Sequence, residues 1–507
     1  MRASVLVRGR PLRTILLLPA AAILLLLASS CYTLHTENSW IRIQNMGSAA
    51  ANIQIRYLSA QGVVVASESC PGTCPAIPPG GGWTFIEGRS ASLPKGFIGS
   101  AVVTSDQPIA VLLAKDVDAG DGYYQTAGDT VSINAGAGKL YLPLVINKDG
   151  VDQAWNSRFA IQNMGGTTAC ATLVYTSNYS DSEVYWDPFN PAAGGTPQDG
   201  CPQGGIPIAA GGTLFRSYQT MGVPPNFSGS VRVDLYPNAQ GTPPSQQFVV
   251  ATTDVFNIDS HQLAGYSGFT SSDMGTSILL PIIERTAGGE WSTDFEVMNS
   301  DPSQPATVTL KITGFDGNNQ PVTKSSSFAI QTSRQCFQDS DVANCLAAGD
   351  TLPQNFHDGS ALITSNRPVG VVVSRSSNRG DVYTSYRGLR TDTAGTRVYL
   401  PLVDKNSSDG ASRAGLNSWV QVATVDGGAA NLTITYVSTD VPTGKTSYKI
   451  KINGSVKLLQ SWETTLPASF TGSMIIDSDK PIVAVGDVIA GSYPGDTDLM
   501  YEGIAAP

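Results

Sequence analysis

Apolar and polar residues alternate along much of this chain. Ile53, Ile55 and Tyr57 are separated by Gln54 and Arg56, Val308, Leu310 and Ile312 by Thr309 and Lys311, and Leu432, Ile434 and Tyr436 by Thr433 and Thr435. A period of two with one apolar face predicts half-buried antiparallel strands. A Trp precedes a second alternating run in each case: Trp40 before Ile41 and Ile43, Trp155 before Phe159 and Ile161, Trp291 before Phe295 and Val297, and Trp419 before Val420 and Val422. No window of helical periodicity reaches three turns beyond the N-terminal apolar run, so the pattern predicts an all-β protein.

The pattern also repeats, about one domain length apart. Tyr141-Leu142-Pro143-Leu144-Val145 returns as Leu280-Pro281-Ile282-Ile283 and as Tyr399-Leu400-Pro401-Leu402-Val403, opening three units, while the first unit lacks it. Phe97-Ile98-Gly99-Ser100 returns as Phe227-Ser228-Gly229-Ser230, as Phe356 to Ser360 with one inserted residue, and as Phe470-Thr471-Gly472-Ser473. Ser105-Asp106-Gln107-Pro108 returns as Ser365-Asn366-Arg367-Pro368 and Ser478-Asp479-Lys480-Pro481. Those residues suit a strand-turn-strand, with Ser and Asp or Asn bonding the backbone and Pro fixing a dihedral. The second unit replaces this turn with a longer polar excursion, Tyr236 to Gln247.

About seven short strands per unit predict four tandem immunoglobulin-like antiparallel β-sandwich domains. Their expected boundaries are 32–135, 136–273, 274–393 and 394–507, after a leader at 1–30. The short linkers Gly136-Ala137-Gly138 and Thr391 to Thr396 lead us to expect an extended array.

Composition changes the picture mainly at the N-terminus. Arg2, Arg8, Arg10 and Arg13 precede an apolar run from Ile15 to Leu27 and the small residues Ala28, Ser29 and Ser30, which reads as a signal peptide for export to the cell surface or the medium. The run is too short to span a bilayer comfortably. Its removal takes away four Arg and no acid, leaving a formal charge of −14 and no Lys/Arg cluster, which argues against nucleic acid as a partner. Cys31 follows Leu27-Ala28-Ser29-Ser30, which resembles a bacterial lipobox with Leu one step too far back. Lipidation at Cys31, giving a lipid anchor as the sole membrane link, and ordinary cleavage after Ser30 both stand open.

The other cysteines fall into local pairs, Cys70 with Cys74, Cys170 with Cys201 and Cys336 with Cys345. In an oxidising compartment these read as disulfides, since each pair lies within one repeat. Free buried thiols are the alternative; zinc lacks further ligands near Cys70 and Cys74.

The opening Leu-Pro-Leu-Val segments and the turns Gln44 to Gly47 and Gln162 to Gly165, weakening to Met298-Asn299-Ser300-Asp301 and Thr424 to Gly427, resemble tandem repeat domains of secreted and surface bacterial proteins of unknown role. The resemblance covers the chain beyond the leader. It implies the architecture and little about function.

Chemistry is sparse. His35, His261 and His357 occupy non-equivalent places, and no Gly-x-Ser-x-Gly nucleophile elbow occurs. Ser92-Leu93-Pro94-Lys95 matches a Ser-x-x-Lys pattern but falls in a turn that the other units share, and Gly444-Lys445-Thr446 lacks the first Gly of a phosphate loop. Asp116, Asp118 and Asp121 sit close together in a Gly-containing loop with hard-cation ligand chemistry, so calcium is the one cofactor considered, against simple solvation. Asp487, Asp496 and Asp498 occupy comparable ground in the last unit. Arg379-Gly380-Asp381 spells an integrin-type tripeptide in what reads as a turn.

The expected function is a non-enzymatic structural or adhesive surface protein, a stalk, coat or filament component whose partners are other surface proteins, further copies of itself or glycans. The missing opening strand of unit one leaves two readings, an edge able to accept a strand from another chain and, the more expected, a sheet completed by residues 32 to 38 or simply smaller. The alternative is carbohydrate binding through Trp83, Trp186, Trp462, Tyr123, Tyr124 or Tyr185, against core packing of those rings. A secreted enzyme would need a site assembled across units.

Overall fold

The computed structural model describes residues 2–8, 36–87, 90, 92–118, 124–130, 138–149, 154–178, 180, 183–188, 200–336, 345–347, 349–408, 414–438, 444–490 and 495–506. Among these there is no α-helix, and strands dominate. The hydrogen-bonded ladders stay within four segments. The first, 36–130, holds two four-stranded sheets, one of which includes Arg2–Arg8; 139–270, 275–390 and 395–505 hold sheets of ten, eight and nine strands. Every named strand pairing is antiparallel. The alternating residues face inward as their period requires: Ile53, Ile55, Tyr57, Val308, Leu310, Ile312, Leu432, Ile434 and Tyr436 are all buried.

Each repeated motif has a local mechanical cause. In Phe-x-Gly-Ser the Phe ring lies over the Gly two residues on, and a Cβ on Gly99, Gly229 or Gly472 would collide both with that ring and with a backbone carbonyl of the neighbouring strand. At Gly359 the ring is that of Phe356 and the carbonyl belongs to Ile283 of the opening strand. Asn45 ties the Gln-Asn-Met-Gly turn by donating Nδ2 hydrogens to the Ala49 and Ile77 carbonyls at 2.7 and 2.8 Å and accepting from Gly47 N at 2.8 Å. Asn163 does the same with Thr167, Ile208 and Gly165. In the last segment Thr424 substitutes its hydroxyl, donated to Gly428 and Gly454. In the Ser-Asp-x-Pro turn, Asp106, Asn366 and Asp479 each accept the backbone N–H of a facing strand, from Asn52, Thr307 and Asn431 at 2.8 Å.

The Leu-Pro strands Lys139–Asp149, Gly275–Arg285 and Gly395–Lys405 each lie against the Phe-x-Gly-Ser strand, and each ladder slips near its Pro. Proline has no N–H to give a ladder and is tolerated at such bulges. The carbonyl after the Pro is then taken by a Tyr hydroxyl: Tyr266 donates to Leu144 at 2.6 Å, Tyr386 to Ile282 at 2.9 Å, and Tyr501 to Leu402.

The extended array expected from the short linkers is not what the contacts show. Arg42 and Gln44, near the start, bond Pro401 and Met474, near the end, at 2.9 and 3.3 Å, and all of Arg42 is buried. Trp40, Leu112 and Ala114 belong to the core of the last segment. The four segments close in a cycle because each presents the same two faces. Gln162 of segment two donates to Ser100 Oγ of segment one at 2.6 Å, and at the closing seam Gln44 and Ser473 share the Gly80 carbonyl. A linker constrains only its two ends, so complementary faces decide the arrangement.

The Trp that precedes the alternating run in each unit falls at one of two rungs. Counted back from the Asn or Thr turn anchor, Trp40 and Trp419 share one register position and Trp155 and Trp291 another.

Candidate functional site

The last hairpin strand of each segment turns inward. Tyr124–Thr130, Gln262–Ser267, Tyr383–Arg387 and Asp498–Glu502 each pack on two of the others, forming a hub. Small residues permit it: a Cβ on Gly128 would lie 2.5 Å from Leu499 Cδ1 and 2.6 Å from the Leu113 carbonyl. Asp496 ties three segments, its Oδ2 accepting backbone N–H groups of Leu263 at 2.8 Å and Tyr383 at 2.9 Å. Its own carbonyl accepts from Thr126 N at 2.7 Å. Asp129 accepts from Ser267 N, Glu502 accepts from Arg387 N, and Thr130 Oγ1 donates to Glu502 at 2.8 Å. The Arg387 guanidinium lies 3.5 Å from Asp129 and 3.6 Å from Glu502. Burial and the Glu502 charge push the Asp129 carboxyl up, whereas at Glu502 burial is outweighed by the Arg387 charge together with hydrogen bonds from Asp129, the Arg387 backbone and Thr130, which hold it below its ordinary value.

Two seams carry buried charge at equivalent positions. Between segments one and two, Lys115 meets Asp254 at 2.6 Å, Asp254 meets Arg158 at 2.6 Å, and Arg158 grips Glu37 in two bonds of 2.9 and 2.8 Å. Between segments three and four, Arg375 occupies the register position of Lys115 and Asp487 that of Asp254. Arg375 bonds Glu284 at 2.7 Å and lies 3.6 Å from the Trp291 ring centre and 5.4 Å from that of Trp419. Lys457 covers Trp419 at 4.1 Å. Burial pushes the Asp487 carboxyl up to about 7 against the pull of Arg375 and Lys457, and burial together with Asp487 raises Asp498 well above the ordinary range. The Lys115–Asp254–Arg158–Glu37 chain is bonded group to group, which is the chemistry of a lock, while in the other seam both Asp487 carboxylate oxygens and one Arg375 terminal nitrogen are buried without a hydrogen-bond partner among the described residues.

The residues singled out from the sequence scatter. His261 lies in segment two, and His357 in segment three is bound to Asn355 and Asn319. Ser92 faces Ser90 and Glu68 instead of Lys95, which is exposed. Asp116 accepts a bond from Thr126 at 3.3 Å, and Asp118 ends the strand Ile109–Asp118. Asp121, Cys31, His35 and Tyr123 lie outside the described residues, as does most of the leader. Among the described residues no group of three or more His, Cys, Asp or Glu could hold a metal ion. Asp487, Asp496 and Asp498 are buried, unlike a loop cluster open to solvent. Arg379-Gly380-Asp381 forms the tip between Ser377 and Tyr383, with Arg379 3.2 Å from Glu290. Cys70–Cys74, Cys170–Cys201 and Cys336–Cys345 are disulfides. Of the aromatic candidates, Trp462 stands 78% exposed and Trp186 36%, Trp83 is half-buried, and Tyr185 packs on Phe227.

No protein-family model matches the chain, and no curated protein matches it. Among solved structures it is similar to one titled "Crystal Structure of Thermotoga maritima 1070", at 14% identity over 22% of this chain and 96% of that one, with a TM-score of 0.19.

Of the hub and seam residues, Asp487, Asp496 and Asp498 were singled out in the sequence, as ground for a cation, and the rest were missed although a signal was present. Arg42, Lys115 and Arg375 each place a charge among apolar strand residues, which implies a partner across an interface. One more place stands out: the edge of Ile98–Ser105, where the first segment has no Leu-Pro strand and Arg2–Arg8 lies instead.

Proposed function

We propose that this chain is an exported, non-enzymatic structural or adhesive protein of the cell surface or the extracellular space, built from four immunoglobulin-like β-sandwich modules closed on one another. The observation that carries the reading is that the first and last segments lock through the same contacts that join neighbours, with buried charge used inside the seams. A block of this kind is rigid and offers loops and edges outward, which suits a coat or scaffold. The resemblance to tandem surface repeats supports it, and the three disulfides are consistent with an oxidising compartment. The test is labelling of intact cells with a membrane-impermeant amine reagent, combined with the intact mass of the recovered protein. Labelling before lysis and a mass starting at Cys31, with or without lipid, is expected; a protein labelled only after lysis sinks the reading.

Carbohydrate binding is the second reading, favoured by the exposure of Trp462 on the turn Gln460–Trp462. A glycan array probed with the protein and with Trp462→Ala separates the two, since a sugar site on this ring loses its signal in the variant.

A further inference from the structure

In three segments the strand carrying Phe-x-Gly-Ser is flanked by a Leu-Pro strand. In the first segment that seat belongs to Arg2–Arg8, antiparallel to Ile98–Ser105 with Leu6 opposite Ser100, Val5 opposite Ala101 and Ala3 opposite Val103. The seat is thus filled from a stretch that reads as part of an export leader. Two further features set it apart. The ladder runs without a slip over seven residues, whereas the three Leu-Pro ladders all slip. The Tyr that grips the bulge elsewhere, Tyr266, Tyr386 or Tyr501, is replaced at the equivalent register position by Asp129, which is committed to the hub. Segment one therefore lacks the grip for a proline-bulged strand and retains a seat for a straight one.

Once residues 1–30 are removed, the edge of Ile98–Ser105 has unpaired N–H and C=O groups beside the fully buried Ala101 and Val103. An exposed edge next to a core is a template for strand addition. We propose that this edge is a strand-acceptor site, filled in the processed protein by an extended, proline-free segment of another polypeptide. Its pattern is that of Arg2–Arg8, small or aliphatic residues between basic flanks. The basic flanks suit a processed chain whose formal charge is −14. The inference rests on the surface-assembly reading above and gives that assembly its joint.

The test uses protein beginning at Cys31 and a fluorescein-labelled peptide of sequence Arg-Ala-Ser-Val-Leu-Val-Arg. Fluorescence anisotropy is expected to saturate at one peptide per chain, with at least tenfold slower amide exchange over residues 98–105. The same peptide N-methylated at alternate residues, which cannot form the ladder, is expected not to bind. Absence of saturable binding, equal binding of the methylated peptide, or protection confined to another strand overturns the inference. If the processed protein is unfolded alone, peptide added during refolding is expected to restore its near-UV spectrum, and failure to do so overturns the inference equally. A compact, surface-labelled protein that ignores the peptide ends the acceptor site and leaves the structural role standing; a protein found only inside cells with its leader attached ends the structural role and the acceptor site with it.

Discussion

Tyr399 donates its hydroxyl hydrogen to the Met46 carbonyl at 3.1 Å, across 353 residues, and repeats the bond that Tyr141 makes to Ser300 at 2.9 Å between neighbouring segments. Each acceptor directly follows a turn-anchoring Asn, Asn45 or Asn299. The closing seam is therefore the same kind of joint as an ordinary one, and the chain should behave as one compact body. Small-angle scattering is expected to give a radius of gyration of about 23 Å, the value for a compact chain of this length. A value near twice that would restore the rod. Tyr399→Phe, which strands a buried carbonyl, should cost about 1–2 kcal/mol in chemical denaturation.

Arg42 carries more of the same seam. Its Nε donates to the Pro401 carbonyl at 2.9 Å and its NH1 to Thr84 Oγ1 at 3.1 Å, in full burial. Arg42→Met keeps much of the volume and leaves the buried Pro401 carbonyl without this donor. Loss of hydrogen bonds from a charged donor to neutral acceptors typically costs about 1.5–3 kcal/mol. A cost below about 1 kcal/mol in urea denaturation would show that the seam does not hold the ring.

How much of this was legible beforehand can be argued residue by residue. Strand identity was, because Ile53, Ile55 and Tyr57 obey a local period that burial enforces. Local disulfide pairs were, because each lies within one repeat. Cyclic closure was not, because the partners of Arg42 and Gln44 are the Pro401 and Met474 carbonyls, backbone groups that carry no side-chain signature. Nor was the exact rung of each Trp, since a ring near the start of a strand does not fix register: Trp40 and Trp155 sit at different rungs.

The Phe-x-Gly-Ser motif predicts a sharp asymmetry between glycines. A Cβ at Gly472 would meet the Phe470 ring and the Val437 carbonyl, while one at Gly166 meets nothing within 4 Å. Gly472→Ala should destabilise by roughly 1–3 kcal/mol through overpacking, and Gly166→Ala should stay within about 0.5 kcal/mol of the parent. Equal effects in thermal melts would mean that the motif reflects sequence history rather than space.

Among the disulfides, Cys170–Cys201 spans 31 residues and Cys70–Cys74 only four. Loop-closure entropy assigns about 3.5 kcal/mol to the first and about 2 kcal/mol to the second. Double alanine variants measured in urea should rank in that order, and the reverse ranking would point to native-state packing of the Cys70 loop as the larger contribution.

Asp487 makes the pH dependence run opposite to ordinary acid lability. Burial pushes its folded carboxyl up to about 7, whereas an unfolded Asp titrates near 3.9 (a typical value). Between those values the native state binds a proton that the unfolded chain has released, so stability falls as pH rises from about 4 through 7. Asp496 and Asp498, raised chiefly by burial, add in the same direction. Asp487→Asn imitates the protonated form, so its melting temperature should match the parent at pH 5 and exceed it at pH 8. A variant less stable than the parent at pH 8 would mean that Asp487 is ionised against Arg375 and Lys457, reversing the sign and making the charge an attractive part of the seam.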